Sequence, residues 1–504
     1  MNCITVFSPR LFATSRSEKR IYMAEDKKMA GSVEKSEFST DFETNKARID
    51  KLLRVNESYD LIYRVVMIGG KKACFYIIDG FCKDAVMEKI LEFLYGIEPK
   101  EMPESAHDFL KQKLPYGEID LVRTENNLIQ RMLSGVPVLL VDGYSEILAM
   151  DFRDYPARSV DEPEKDKVMR GSRDGFVETL VFNTALIRRR IRSPQLTMEM
   201  HTVGKSSRTD VVIAYMDGRA EPEMLENIKK RIDEIQIDSL SMNQQSLAEC
   251  LYTHKWYNPF PKFKFSERPD TTAASILEGS IAILVDNSPS AMILPTSVFD
   301  IVEDADDYYF PPVTGTYLRL SRMIINVLAV VMTPLFLLLI THPDWLPEWL
   351  EFIRINDPVN VPIFIQMLIL EFAIDGLKLA SVNTPNMLST PLSVIAGIIL
   401  GDYTVSSGWF NSEIMLYMAF VAVANYTQVS LELGYALKFM RIILICLTAA
   451  FNVWGFVGGL IFVAICIVAN RTISGKSYLY PLIPFNAKQF VRRFFRVSLP
   501  RSEQ

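Results

Sequence analysis

The segment "MIINVLAVVMTPLFLLLI" (323–340) has eighteen residues without a charge, and it constrains the fold of this chain more than any other feature. A helix of about 20 apolar residues spans the hydrocarbon core of a bilayer, and Pro334 is tolerated there because neighbouring groups re-satisfy the freed backbone. Before Arg319 the chain instead alternates between charged helix patterns and short strand patterns. The sequence therefore predicts a cytosolic N-terminal region followed by an α-helical polytopic membrane domain.

Two stretches of the N-terminal region resemble each other. "RMLSGVPVLLVDGYSEILAM" (131–150) and "SILEGSIAILVDNSPSAMIL" (275–294) align without a gap. Each predicts a helix end with a capping glycine, a buried strand, a two-residue turn and a return strand. We interpret them as parts of two related subdomains of class α/β or α+β, and chance similarity of two hairpins is the alternative.

The predicted domain boundaries follow changes in composition. Polar residues of mixed charge predict a disordered leader over 1–43, and the charged stretch "DEPEKDKVMRGSRDG" predicts a linker over 161–175. The remaining predicted parts are subdomain 1 (44–160), subdomain 2 (176–318), the membrane domain (319–470) and a basic cytosolic tail (471–504).

The membrane domain is predicted to contain several apolar elements. Their approximate ranges are 323–340, 361–381, 388–401, 412–433, 435–452 and 456–469. The last two are interpreted as a tight hairpin, because 435–469 is too long for one crossing and contains "NVWGFVGG" near its middle. Basic residues precede the first element and fill the tail, which predicts a cytosolic location for both ends. That orientation requires an even number of crossings, although hydropathy alone leaves five and six open.

Three ionisable residues interrupt the second element. Glu371, Asp375 and Lys378 are spaced i, i+4, i+7, which places them on one face of a helix. If the helix enters the bilayer near Val361, Glu371 lies about 15 Å deep, near the middle of the hydrocarbon core. An ionised carboxylate that faces lipid at that depth is costly, so the stripe is expected to face protein or water.

We predict from this stripe an ion path that contains Glu371, Asp375, Lys378 and Asn383. Two alternatives stay open. Either only 361–370 is inserted and the charges lie at the interface, or Asp375 and Lys378 form a packed ion pair within the bundle.

Composition and motifs exclude other function classes. The net charge of −6 gives no reason to expect a nucleic-acid partner. The histidines are scattered, the cysteines form no C-x-x-C pair, and "SGKS" (474–477) lacks the upstream glycine of a phosphate loop. We therefore expect no metal, no cofactor and no enzymatic activity.

Several stretches together resemble the A-subunit family of bacterial spore germinant receptors, the GerA family. In family order they are "RGSRDGFVE" (170–178), "GKSSRTDV" (204–211), "ERPDTTAASILEG" (267–279), "DADDYYFPP" (304–312) and "LSVIAGIILGDYTVSSG" (392–408). The pair "DGLKLASVNTPN" (375–386) and "ELGYALKFMR" (432–441) resembles the branch of stage V sporulation AF proteins. The chain departs from the family at Ser172, where members often have Pro. It also has "AIDGLKLA" where many receptors have an Arg-Glu-Ala-Gly-like run, which favours an auxiliary or amplifying channel subunit over direct nutrient recognition.

The resemblance implies a membrane subunit that acts in germination from the spore inner membrane, as an oligomeric cation channel. The implied partners are other copies of the chain, other germination membrane subunits, the lipid bilayer and monovalent cations. A non-conducting scaffold or sensor that binds partner membrane proteins, and a secondary transporter, are the alternatives. The charged residues that we predict to act in coupling or subunit contacts are Arg170, Arg173, Asp174, Glu178, Arg208, Asp210, Glu267, Arg268, Asp270, Asp306 and Asp307.

Overall fold

The computed structural model of the protein describes most of the chain. The described residues are 36–114, 117–154, 168–252, 258–355, 357–383, 397, 401, 403–473 and 475–496. The chain forms two compact units that divide between Tyr155 and Pro156, with Arg192–Pro194 counted with the first unit.

The first unit is an antiparallel sheet covered by helices. Its helices are Phe42–Leu53 (α1), Asp84–Tyr95 (α2), Ala106–Lys113 (α3) and Glu125–Leu133 (α4), with a 3₁₀ turn at Pro99–Glu101. Its strands are Leu61–Ile68 (β1), Lys71–Ile78 (β2), Ile119–Val122 (β3), Val138–Val141 (β4) and Ile147–Met150 (β5). The strand order is β1-β2-β4-β5-β3, and each neighbouring pair is antiparallel. Phe75, Phe109, Leu139 and Leu148 are among the residues of its buried core.

The second unit begins with a sheet of the same kind. Its first helices are Leu180–Arg190 (α5), Pro222–Asp233 (α6), Asn243–Leu251 (α7) and Pro269–Leu277 (α8). Its strands are Leu196–Val203 (β6), Thr209–Met216 (β7), Lys264–Ser266 (β8), Ile281–Val285 (β9) and Ala291–Leu294 (β10). The order is β6-β7-β9-β10-β8, again antiparallel throughout the described pairs.

The two sheets repeat one topology, which confirms the prediction of two related subdomains. The antiparallel pairing decides the class as α+β. One side-chain contact recurs as well. The buried amide of Asn45 bonds to the backbone N and O of Ser39 at 3.0 and 2.6 Å, and that of Asn183 bonds to Val177 at 2.8 and 2.6 Å. In both subdomains an asparagine thus fixes the segment that leads into the first helix.

The remainder of the second unit is helical. Its helices are Val298–Val302 (α9), Asp306–Tyr309 (α10), Pro312–Thr341 (α11), Ile363–Asn383 (α12), Thr404–Ser406 (α13), Ser412–Tyr426 (α14), Leu431–Val468 (α15) and Ala487–Phe494 (α16), with 3₁₀ turns at Pro343–Trp345 and Glu348–Ile353. Within the described residues, α11 and α15 are long and apolar enough to cross a membrane, and α14 is a shorter apolar helix.

Helix α15 doubles back on itself at Asn452. A straight helix of its 38 residues would be about 57 Å long, which exceeds the thickness of a bilayer. Asn452 has the non-helical dihedral angles φ 51° and ψ −126°. Beyond it, a Cβ atom placed on Gly455 would lie 1.8 Å from the carbonyl oxygen of Leu447, and one on Gly459 would lie 2.3 Å from Leu444. The second half of α15 therefore packs along its own first half, with glycines at the closest approach.

The structure differs from several predicted boundaries. Residues 36–43 were predicted as part of a disordered leader, but Phe38 is buried in the first unit. The predicted element 412–433 is broken, because α14 ends at Tyr426 and the Ser430 hydroxyl caps the next helix by accepting the amide of Leu433 at 3.3 Å. The predicted element 388–401 lies almost wholly outside the described residues.

Candidate functional site: two ionic clusters of the second unit

Charged side chains of α12 and α15 contact each other where these apolar helices pack together. We call Glu371, Asp375, Lys438 and Arg441 the membrane cluster. The Nε and Nη2 atoms of Arg441 donate to the two carboxylate oxygens of Glu371 at 2.6 and 2.9 Å. The Nζ atom of Lys438 lies 3.4 Å from Glu371 Oε2 and forms a closer ion pair with Asp375. Two carboxylates and two cations balance each other in the cluster.

The membrane cluster joins three helices. Arg441 also donates from Nη1 to the carbonyl oxygen of Ala329 on α11 at 2.9 Å, and Lys438 donates to the backbone oxygen of Glu371 at 3.0 Å. Glu371 is 1% exposed and Arg441 is 0% exposed. The attraction within a buried ion pair offsets the cost of desolvation only when the geometry is good and further hydrogen bonds are made. The bidentate contact between Arg441 and Glu371 meets both conditions.

The structure separates the residues of the predicted ion path. Glu371 is enclosed by its two cations, whereas the side chain of Asp375 is 30% exposed. Asp375 and Lys378 line a cavity of about 20 Å³, enough for one water molecule. The Lys378 ammonium lies 4.6 Å from the centre of the Tyr435 ring. Asp375 pairs with Lys438, in place of the Asp375–Lys378 pair that was one of the alternatives. Asn383 ends α12, and its side chain lies outside the described structure.

Lys438 and Arg441 were not predicted as members of this site. Both stand in an apolar stretch, three residues apart, just as Glu371 and Asp375 stand four residues apart in another. One apolar segment with two acidic residues at helical spacing and another with two basic residues at helical spacing together predict such a pairing. Each of these charges is costly in a membrane unless an opposite charge neutralises it.

A second group of charges lies where the second subdomain meets α11, and we call Glu303, Asp307, Arg319, Arg322 and Arg493 the juxtamembrane cluster. The Nη2 atom of Arg319 donates to Glu303 Oε1 at 2.7 Å, and Arg493 Nη1 donates to Glu303 Oε2 at 3.0 Å. Arg322 contacts both oxygens of the fully buried Asp307 at 2.8 Å. The cluster therefore ties the subdomain, the start of α11 and the tail helix α16 together.

The charge state of Glu303 follows from its surroundings. Burial opposes ionisation, but Arg493, Lys264 and Arg319 outweigh it and hold the pKa of Glu303 below its ordinary value. Burial and the neighbouring Glu303 carboxylate raise the pKa of Tyr308, whose hydroxyl donates to that carboxylate. At neutral pH the site thus contains a carboxylate that accepts hydrogen bonds from three side chains.

The described part of the predicted linker is packed on the second unit. Buried Arg268 donates to Asp270 at 2.6 and 3.1 Å and to the carbonyl oxygen of Ser172 at 2.8 Å. Tyr309 donates to Asp270 at 2.5 Å, and its ring lies against Gly171. Residues 168–175 are consequently a docked segment of this unit, which the charged composition did not indicate.

Several predicted coupling residues converge around this docked segment. They are Asp174, Arg268, Asp270 and Asp306, whereas Asp307 belongs to the juxtamembrane cluster. Asp174 pairs with Arg190 at 2.5 Å, and Asp306 accepts the amide of Met169 at 3.1 Å. Burial alone would raise the pKa of Asp174, but Arg190 and the Ser172 hydroxyl lower it.

The other predicted coupling residues contribute less to this arrangement. They are Arg170, Arg173, Glu178, Arg208, Asp210 and Glu267. The backbone oxygens of Glu178 and Glu267 accept the amides of Asn287 and Phe176, each at 2.8 Å. Asp210 lies on β7 and accepts the hydroxyl of Thr202 at 3.2 Å. The three arginines are exposed.

Gly171→Ala is expected to release the docked segment. Gly171 has φ 126°, and an added Cβ would lie 2.4 Å from the Tyr309 ring, so a side chain meets both backbone strain and a clash. A strain of on the order of 2 kcal/mol corresponds to roughly 30-fold more opening. Trypsin cleavage at the exposed Arg170 and Arg173 measures it. Gly117→Ala, where the added Cβ meets nothing within 4 Å, is the matched control and keeps the parent cleavage rate. Equal cleavage of both variants would contradict the docking.

Taken together, these features define a membrane protein with two related antiparallel α+β subdomains, the second of which is joined by ionic contacts to a bundle of apolar helices. The sequence model of the family described as Bacillus/Clostridium GerA spore germination protein matches residues 48–504. The chain belongs to this family, which confirms the resemblance drawn from its motifs, and it is accordingly a membrane protein of spore germination or sporulation.

Relatives cover nearly the whole chain. It is 35% identical over 444 residues to Stage V sporulation protein AF of Bacillus subtilis (strain 168), an alignment that covers 88% of this chain and 90% of the relative. It is 26% identical over 450 residues to Spore germination protein KA of the same organism, covering 88% and 82%. The crystal structure of the N-terminal domain of the A subunit of the Bacillus megaterium spore germinant receptor GerK3 is similar with a TM-score of 0.39 and 25% identity, covering 51% of this chain and 96% of that one.

Proposed function

We propose that this chain is a membrane subunit of a spore germination complex and that several copies form a cation-conducting channel in the spore inner membrane. The observation that carries conduction is the position of Asp375. Its carboxylate pairs with Lys438 but keeps 30% exposure within an apolar helix, while Glu371, one turn away, is enclosed by Arg441 and Lys438. Rings of carboxylates select cations in channels, and symmetry-related copies of Asp375 would form such a ring.

Contacts of the tail support an even number of crossings. Lys476 pairs with Glu221 at 2.7 Å, and Lys262 donates to the backbone oxygen of Arg471 at 2.7 Å. Both partners of the tail belong to the second subdomain, which precedes α11. A tail that touches this subdomain lies on the same side of the membrane, and the excess of basic residues favours the cytosol for that side.

Aromatic residues after α11 support a crossing by that helix. Trp345, Trp349 and Phe352 lie in the two 3₁₀ turns that follow it, and all three are exposed. Tryptophan is enriched at the boundary between lipid and water. In the proposed topology these turns lie at the outer face of the membrane, opposite the juxtamembrane cluster.

A non-conducting scaffold or sensor is the second candidate function. The closed, electrically neutral packing of Glu371 favours it, because such a cluster holds helices together without presenting Glu371 to water. The juxtamembrane cluster would then transmit partner binding from the subdomain to α11. In the channel proposal the same cluster couples the subdomain to opening of the path.

Asp375→Asn separates the two functions. Removing a carboxylate about 4 Å from a passing cation costs on the order of 1 kcal/mol even in water. We therefore expect the potassium flux in proteoliposomes to fall at least about fivefold. Asp344→Asn makes the same chemical change at an exposed position after α11 and is expected to leave flux unchanged. Gel filtration of both variants checks that assembly is intact. Parent-like flux in a correctly assembled Asp375→Asn protein would reject conduction along this face and favour the scaffold.

A further inference from the structure

The short tail helix α16 has two different faces. On its inner face the rings of Phe490 and Phe494 stack with centres 4.3 Å apart, and Phe494 packs on Phe299 of α9 at 5.1 Å. Arg493, on the same side, pairs with Asp300 at 2.5 Å. The inner face of α16 is therefore covered by the second subdomain.

The outer face of α16 is apolar and basic. Lys488 and Val491 are three residues apart, which places them on one side of the helix, and Phe495 follows its last residue. All three are exposed. The turn before the helix adds exposed Ile483 and Phe485, the latter 67% exposed. Large apolar side chains beside basic ones are typical of helices that lie on a membrane surface.

The contacts of α16 fix its level relative to the membrane helices. Arg319 of α11 donates to the backbone oxygen of Arg493 at 2.8 Å, and the amide of Arg496 donates to the Thr316 hydroxyl at 3.0 Å. Thr316 precedes the uncharged stretch 323–340 by seven residues, which is about 10 Å along the helix axis. The polar headgroup layer extends roughly 5–8 Å beyond the hydrocarbon on each side. The tail helix is therefore held just beyond the outer edge of that layer.

We propose that α16 and the turn before it bind the surface of a bilayer that contains anionic phospholipid. The exposed apolar side chains enter the headgroup boundary, and Lys488 faces the lipid phosphates. The sequence adds Arg492 four residues after Lys488. Because Arg493 of the same helix pairs with Asp300 and Glu303, lipid charge at α16 acts directly on the juxtamembrane cluster.

Hydrogen exchange of the full-length protein in nanodiscs tests this proposal. We expect the backbone amides of 487–496 to exchange about tenfold more slowly in nanodiscs with phosphatidylglycerol than in nanodiscs of phosphatidylcholine alone, because each basic side chain near an anionic surface contributes measurably to binding. In the double variant Lys488→Glu, Val491→Glu we expect the two lipid compositions to give rates within about twofold of each other.

Lys89→Glu is the control, since it makes the same substitution as Lys488→Glu at an exposed position of α2. It is expected to keep the tenfold difference. Exchange in β9 reports whether each variant retains the fold. Equal exchange of 487–496 in both lipid compositions, or an equal loss of the difference in Lys89→Glu, would overturn the proposal. Neither result bears on potassium flux, so failure here is distinct from failure of the channel.

Discussion

Arg441→Met is expected to destabilise the purified protein by about 3–5 kcal/mol, the usual cost of leaving a buried charge without its partner. In the native structure both carboxylate oxygens of Glu371 accept hydrogen bonds from Arg441. After the substitution only Lys438 remains within 4 Å of that carboxylate among the described residues, and Lys438 is already paired with Asp375. The midpoint of thermal unfolding in detergent measures the loss.

The double variant Glu371→Met, Arg441→Met separates charge from packing. With neither charge present no group is left uncompensated, so we expect stability within about 1 kcal/mol of the parent. Lys378→Met serves as the matched control. It also removes a cation from this region, but among the described residues that cation contacts only the Tyr435 ring, which is worth roughly 0.5–1 kcal/mol. If Arg441→Met were as mild as Lys378→Met, the membrane cluster would not stabilise the bundle.

Gly455→Ala is expected to prevent α15 from closing on itself. The added Cβ would lie 1.8 Å from the backbone oxygen of Leu447, and a backbone atom cannot move aside as a flexible side chain can. We expect a loss of at least about 3 kcal/mol, at the upper end of overpacking costs. Thermal unfolding in detergent measures the loss, and protease access to a tag placed after Gln504 reports whether the tail keeps its side of the membrane.

Gly458→Ala is the matched control for the hairpin. The position is three residues further along the same helix, and an added Cβ meets nothing within 4 Å. Because alanine favours a helix over glycine by roughly 0.5–1 kcal/mol, this variant is expected to be neutral or slightly more stable. Similar behaviour of the two variants would contradict the return of α15 along itself and would leave five crossings as the better count.

The parts of the fold that could be predicted from the sequence are determined by residues that are close together along the chain. Gly135 and Gly279 both adopt positive φ after a helix, as the two aligned stretches predict. Strand order depends instead on residues that are far apart along the chain. The neighbour of β2 in the sheet is β4 and not β3, and β3 pairs with β5 at the edge of the sheet. Nothing in the local pattern of β3 indicates that it is an edge strand. The polar composition of 36–43 also did not indicate that Phe38 and Phe42 are both buried.

The candidate site shows the same division. The spacing of Glu371 and Asp375 predicted a shared helix face. Their partners Lys438 and Arg441 are about 70 residues away, and only the packing of α12 on α15 brings them together. That packing distinguishes the two carboxylates, since it encloses Glu371 and leaves Asp375 partly open. The ion path therefore remains a prediction that rests on Asp375 more than on Glu371.

The contact between Glu303 and Arg493 has a consequence for biosynthesis. The two residues are separated by 190 positions, and the apolar helices α11, α12, α14 and α15 lie between them. Ribosomes deliver the N-terminal part first, so Glu303 and Arg319 emerge and can pair long before Arg493 is translated. The bond between Glu303 and Arg493 can therefore form only after the last of these helices has been translated. A chain that ends before α16 can therefore form the bond between Glu303 and Arg319 but lacks the one between Glu303 and Arg493.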